Sequence, residues 1–134
     1  MIGFSVGGYV AARLSTHWDE KIYDQIDDSD DLSARPGFAA LVYPAYLERE
    51  KLSQLRKEVD INPRATPTFI AHTKDDHSYI GGSMLYNTVL AKANVKVKFQ
   101  LYEEGGYGFG IRSAPELEAS KWPREFEEWL SSPN

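Results

Sequence analysis

The stretch Met1-Ile2-Gly3-Phe4-Ser5-Val6-Gly7-Gly8-Tyr9-Val10 decides how the rest of the chain is read, because it sets a serine in the pattern Gly3-x-Ser5-x-Gly7. Between a strand and a helix, that pattern forms a sharp, strained turn with the serine hydroxyl bared at the helix start. Small residues two before and two after the serine let neighbouring backbone come close. The N–H of the next residue, Val6, then points at the oxygen of an attacked carbonyl, and the helix N-terminus adds positive potential. Residues 6–16, VGGYVAARLST, read as the helix, with Val10, Ala11 and Leu14 on one face. On the strand side only Met1 to Phe4 precede the serine. The pentapeptide alone fits an ordinary glycine–serine turn equally well, so its meaning depends on the remaining residues of the chain.

Composition narrows the possibilities. The chain has 134 residues, enough for one domain over 1–134 with one modest core, and no internal repeat is visible. Hydrophobic residues make up 42% and charged residues 26%, in the range of ordinary globular proteins. Net charge is −5, from 15 basic and 20 acidic residues without a Lys/Arg cluster, so no nucleic-acid partner is expected. The absence of cysteine excludes disulfides and thiol nucleophiles. His17, His72 and His77 fit no familiar metal spacing, and neither metal nor cofactor is expected. No apolar run approaches a membrane span. The first ten residues lack a basic start and a long apolar stretch, so no signal peptide is expected.

Strand and helix patterns alternate along the chain. After an acidic, turn-rich stretch (19–37), whose Asp27, Asp28, Asp30 and Asp31 read as a solvated loop, FAALVYP (38–44) is a buried strand ended by proline. Residues 48–58 predict a polar helix with Leu52 and Leu55 inward. TPTFIAHT (66–73) is a second buried strand. Residues 78–94 predict a helix with Met84, Leu85, Val89 and Leu90 inward, stopped at Asn94. Residues 95–103 alternate, with Val95, Val97, Phe99 and Leu101 on one face, as in a half-exposed edge strand. A loop (104–120) leads to a closing helix, 122–130, with Trp122, Phe126, Trp129 and Leu130 on its apolar side. This alternation predicts an α/β fold: a small, mostly parallel sheet flanked by helices.

Taken in order, GFSVGGYVAA, RPGFAALVYPAYL, TPTFIAHTKDDHSYIGGSMLYNTVLAKANVKVKFQLYEEGGYGFGIR and WPREFEEWL closely resemble the C-terminal half of an α/β-hydrolase. The resemblance is to the esterase branch related to acetyl-xylan esterases, feruloyl-esterase-like and dienelactone-hydrolase-like proteins, and it covers essentially the whole chain. It implies a truncated α/β-hydrolase fold and a serine esterase acting on short-chain or activated carboxylic esters through an acyl-Ser5 intermediate. It places the acid at Asp76, beside Asp75, in the turn that His72 opens; His72 itself reads as a structural strand-end residue. Tyr46, Tyr79 and Phe109 are candidates to line the pocket for a small-molecule ester, although ordinary packing explains such rings as well.

The family's base departs from its pattern. Where the family has Gly-Gly-His-Gly-Phe-Gly, this chain has Gly105-Gly106-Tyr107-Gly108-Phe109-Gly110. Imidazole titrates near ~6.5 and accepts a proton at neutral pH, whereas phenol titrates near ~10 and stays protonated. Three readings stand open. Tyr107 ends normal triad catalysis and leaves weak residual hydrolysis; or His77, which follows Asp76, substitutes as base; or Tyr107 itself works as a base with a lowered pKa, helped by Lys74 or Arg112. The early strands of the fold and its second oxyanion donor have no counterpart before Ser5, so the strand at 1–4 is expected to be an uncovered edge. A homo-oligomer that covers it is one expectation, and a fragment of a longer enzyme begun at an internal methionine is another. A relic that kept the fold as a binding or assembly module is the rival from a different class.

Overall fold

The apolar runs at 38–44 and 66–73 become the two central strands of a four-stranded parallel sheet. The computed structural model describes residues 1–49, 53–112 and 114–132. Its elements are β1 (Ile2–Phe4), α1 (Val6–His17), β2 (Ala39–Val42), β3 (Glu48–Arg49), β4 (Gln54–Leu55), β5 (Thr68–Thr73), α2 (Ile80–Lys92), β6 (Val97–Tyr102) and α3 (Trp122–Ser131). The sheet runs β1-β2-β5-β6, with β1 and β6 at its edges. All three pairings are parallel, in a register that aligns Ile2 with Ala40, Leu41 with Ile70, and Ile70 with Phe99. Parallel strands need long crossovers, and α1 and α2 supply those between β1 and β2 and between β5 and β6.

Alternation along the central strands sorts the core into two layers. Leu41 and Ile70 face α1 and α2, where they meet Ala11, Ala12, Tyr86 and Leu90. Ala40, Val42, Phe69 and Ala71 face the other way, onto Tyr102, Phe109, Trp122 and Phe126. All four residues of β2 are fully buried, which is why their run is continuously apolar rather than alternating. Each large side chain so buried contributes about 1.5–3 kcal/mol.

Four expectations need correcting. The described residues of 48–58 (48–49 and 53–58) form no α-helix: β3 and β4 pair antiparallel as a short hairpin, followed by a single 3-10 turn at Lys57–Val59. Ser53 turns the chain with a φ of 50°; Leu55 and Val59 are the buried anchors, and Leu52 lies outside the described residues. So few apolar positions leave an isolated helix little to gain against its nucleation cost. On α2 the inward face carries Gly82, Ser83, Tyr86 and Leu90, and Met84 is exposed. On α1 the buried residues are Gly8, Ala11, Ala12, Ser15 and Thr16, all small, and Val10 faces out. Leu130 likewise lies on the exposed side of α3. The acidic stretch is exposed as expected, but it is organised: Asp27 accepts the N–H of Ser29 at 2.8 Å, and Asp30 accepts that of Ile26 at 2.8 Å.

Candidate active site

Ser5 stands between β1 and α1 with φ 56° and ψ −122°, a strained conformation for a residue with a Cβ. Bonds on both sides hold it there. Its N–H donates to the Val42 carbonyl at 3.1 Å, and its carbonyl accepts from Ala45 and Gly8, each at 3.0 Å. The glycines around it are not equivalent. A Cβ at Gly3 would lie 2.1 Å from the Gly7 carbonyl oxygen, and one at Gly8 would lie 2.8 Å from Pro44 Cβ. A Cβ at Gly7 would meet open space. The close approach after the serine is therefore made by Gly8, which lets α1 lie against Pro44. Val6 opens α1, so its N–H is among those left without an intrahelical acceptor.

The carboxyl ends of β1, β5 and β6 bring the other candidates to the same edge of the sheet, where ligands of open parallel sheets gather. The hydroxyl of Tyr107, on the loop after β6, is hydrogen-bonded to Ser5 Oγ. Its ring packs edge-on against Tyr43, with centroids 5.4 Å apart, and at a tilt against Tyr79 at 5.3 Å. Tyr79 continues to Tyr46 at 5.2 Å. Desolvation first, then the neighbouring charges of Tyr46, Asp76 and Tyr43, hold the Tyr107 phenol above its ordinary range. Tyr79 is pushed up to about 12, chiefly by its hydrogen bond with Tyr46.

Asp76 is buried in the turn after β5, and its hydrogen-bond partners are not on the Tyr107 loop. Its Oδ2 pairs with His72 Nε2 at 2.8 Å, its Oδ1 accepts the N–H of Ser78 at 3.2 Å, and His72 Nδ1 pairs with Ser83 Oγ at 2.7 Å. A proton on Nε2 facing the carboxyl leaves Nδ1 to accept from the Ser83 hydroxyl. Burial holds the His72 imidazole below its ordinary range, against the opposing pull of Asp76. His77 is exposed and has no hydrogen-bond or ion-pair partner among the described residues. It lines, with Tyr46, Glu48, Arg56 and Tyr79, a groove of about 900 Å³ between the hairpin and α2. Phe109 is 3% exposed, its ring 4.7 Å from that of Tyr43, so it supports the site from the core and does not line a pocket. The helpers proposed for a tyrosinate are engaged elsewhere: Lys74 pairs with Glu103, and the charge of Arg112 acts on Tyr43. Among the described residues no group of three His, Asp or Glu side chains gathers as metal ligands, and no helix is long and apolar enough to cross a membrane.

Strain at the serine, parallel strands ending beside it, and a glycine loop descending onto its hydroxyl are the marks of one architecture, and solved structures agree. The chain has the α/β-hydrolase fold. It superposes on the acetyl ester-xyloside bifunctional hydrolase of Caldicellulosiruptor lactoaceticus with a TM-score of 0.80 at 25% identity, over 96% of this chain and 54% of that one. For MGS-M1, an α/β hydrolase from a Medee basin deep-sea metagenome library, the values are 0.70 and 26%, over 96% and 51%. Esterase 2 of Thermogutta terrifontis, phosphoramylated by tabun, gives 0.71 at 21% identity, over 99% and 56%, a likeness of fold alone. The hydrolase fold here thus spans about half the length of the solved relatives it matches. No protein-family model and no curated protein matches the chain.

Residue by residue, the hydrolase fold brings Ser5, Val6, Tyr107 and Tyr79 together and leaves Asp76 bonded to His72. Sequence reasoning missed Tyr43, whose φ of 38° and ring contacts with Phe4, Tyr107 and Phe109 place it at the centre of the site. It also missed the reach of Asp75. That carboxylate accepts the N–H groups of Gly105 at 3.1 Å and Gly106 at 2.9 Å, about thirty residues away, and nothing in its local sequence signals this.

Proposed function

We propose that this chain carries the nucleophile of a serine esterase that acts weakly on short-chain or activated carboxylic esters through an acyl-Ser5 intermediate. The observation that carries the reading is the strained Ser5 at the N-terminus of α1 with its hydroxyl presented to Tyr107. In the acylation step Ser5 Oγ attacks the carbonyl carbon, the Val6 N–H receives the developing oxyanion, and as the carbonyl re-forms the ester C–O bond breaks and the leaving oxygen takes a proton from solvent. Water then hydrolyses the acyl-Ser5. Tyr107 is a protonated phenol at neutral pH, so it shares a hydrogen bond with Ser5 Oγ but does not take up the serine proton. That proton passes to solvent, which makes the reaction slow. Among the described residues the causes acting on Tyr107 all raise its pKa, which weighs against Tyr107 as base. The groove beside Tyr46 and Tyr79 offers room for the alcohol part of the ester.

Self-association belongs to the same reading. Ile2, Phe4, Val6 and Val10 leave an apolar strip at the β1 edge, and a second copy is the occupant we favour.

The second reading, a binding module without catalysis, draws support from Asp76 being engaged by His72. A fluorophosphonate probe separates the two. Organophosphorus chemistry suits this fold, since the Thermogutta esterase is phosphoramylated by tabun. Labelling of the parent protein that is lost in Ser5→Ala supports the esterase. Folded protein that stays unlabelled supports the binding module.

A further inference from the structure

We propose that Asp75, and not Asp76, is the positioning residue of the Tyr107 loop. The inference rests on the reading of Ser5 and Tyr107 as one site. The loop has little to hold it by itself. Gly105 and Gly106 take φ of 146° and 62°, conformations that glycine adopts freely and therefore loses most entropy in fixing. Their two successive N–H groups form a concave donor pair of the kind that binds anions, and the Asp75 carboxylate fills it. Thr73 Oγ1 closes the same end by donating to the Gly106 carbonyl at 2.9 Å. At the far end Trp122 Nε1 donates to the Gly110 carbonyl at 2.7 Å. Tyr107 hangs between these ties, about half exposed, its place defined among the described residues by ring contacts and the bond to Ser5.

The two adjacent carboxyls thus divide the work. Asp76 faces inward to His72 and Ser78, and no bond joins it to residues 105–110 among the described residues. Asp75 reaches the loop one residue before Tyr107 and sets where the phenol stands. Desolvation acts to raise the Asp75 carboxyl, but the bonds from the Gly106 and Gly105 N–H groups counter it, and the carboxyl is held below the usual range. These bonds favour the ionised carboxylate, the form that accepts both N–H groups.

The test uses the 134-residue chain with 13Cζ-labelled tyrosine, in which Tyr107→Phe assigns one of the eight tyrosine signals. In the parent chain, Ser5→Ala should shift the Tyr107 signal, because the two hydroxyls are bonded. The same response should persist in an Asp76→Asn background and vanish in Asp75→Ala. Persistence in Asp75→Ala overturns the proposal and leaves the esterase reading standing. A parent signal that ignores Ser5→Ala removes the Ser5–Tyr107 pairing and overturns the proposal, while the esterase reading is then decided by the fluorophosphonate label at Ser5. If Asp75→Ala does not fold, Asp75→Asn replaces it: its amide turns a donor toward one of the two glycine N–H groups, and the response to Ser5 should again be lost.

Discussion

At Tyr107 a single side chain sets the chemistry of the site. Phenol and imidazole both reach a neighbouring hydroxyl, but only imidazole has a pKa that lets it take a proton at neutral pH. Tyr107→His should therefore raise p-nitrophenyl acetate hydrolysis by about 100-fold, the low end of what a general base supplies, with Ser5→Ala abolishing the gain. An unchanged rate would mean that an imidazole at 107 gains nothing from Asp76, which His72 already occupies. His72 makes its own prediction. Its folded-state pKa is depressed, so the unfolded chain takes up a proton first as the pH falls below ~6.5. The stability it contributes is present above that pH and is lost as the pH drops toward the folded value. Urea melts between pH 7 and 4 should show that loss, and it should be smaller in His72→Gln. The sequence offered Ser5 as a candidate through its Gly-x-Ser-x-Gly pattern, and Asp76 and Tyr107 only through the family resemblance. It did not expose the bonds of Asp75 and His72, because those join residues whose proximity is made by the fold.

At the scale of elements, the turn from β1 into α1 is governed by steric room. Gly3→Ala would drive a Cβ into the Gly7 carbonyl and should cost about 3 kcal/mol, the upper range of overpacking. Gly8→Ala meets Pro44 and should destabilise similarly. Gly7→Ala meets nothing and should stabilise α1 by up to about 1 kcal/mol, since alanine loses less backbone entropy in a helix. Denaturant midpoints of the three variants check the order. The reading from sequence treated Gly7 as the second close-approach glycine, and only the contact with Pro44, a residue of another segment, corrects it. The helix expected over 48–58 failed for a related reason. Its polar pattern was compatible with either state, and Leu55 and Val59 are buried by packing that the local sequence does not encode.

For the whole molecule, the balance of covered and bare surface is decisive. Two layers of helix shield β2 and β5, while β1 and the outer face of α1 leave Ile2, Phe4, Val6 and Val10 between 36% and 57% exposed. An apolar strip beside an unpaired strand edge favours association. Size-exclusion chromatography with light scattering should find a species larger than 15.2 kDa, and Val10→Lys should shift it toward the monomer. A clean monomer for the parent chain would count against a second copy at this edge.

The sequence by itself determined the alternation of strands and helices, the two buried central strands, the half-exposed edge strand β6 and the serine turn. These arise from periodicity and from residue-specific backbone preferences, which act over a few neighbours. Only the tertiary structure decided that Asp76 pairs with His72, that Asp75 holds the loop carrying Tyr107, and that Gly8 is the glycine α1 needs against Pro44. Those bonds and contacts depend on where parallel strands end in space, and no local pattern carries that information.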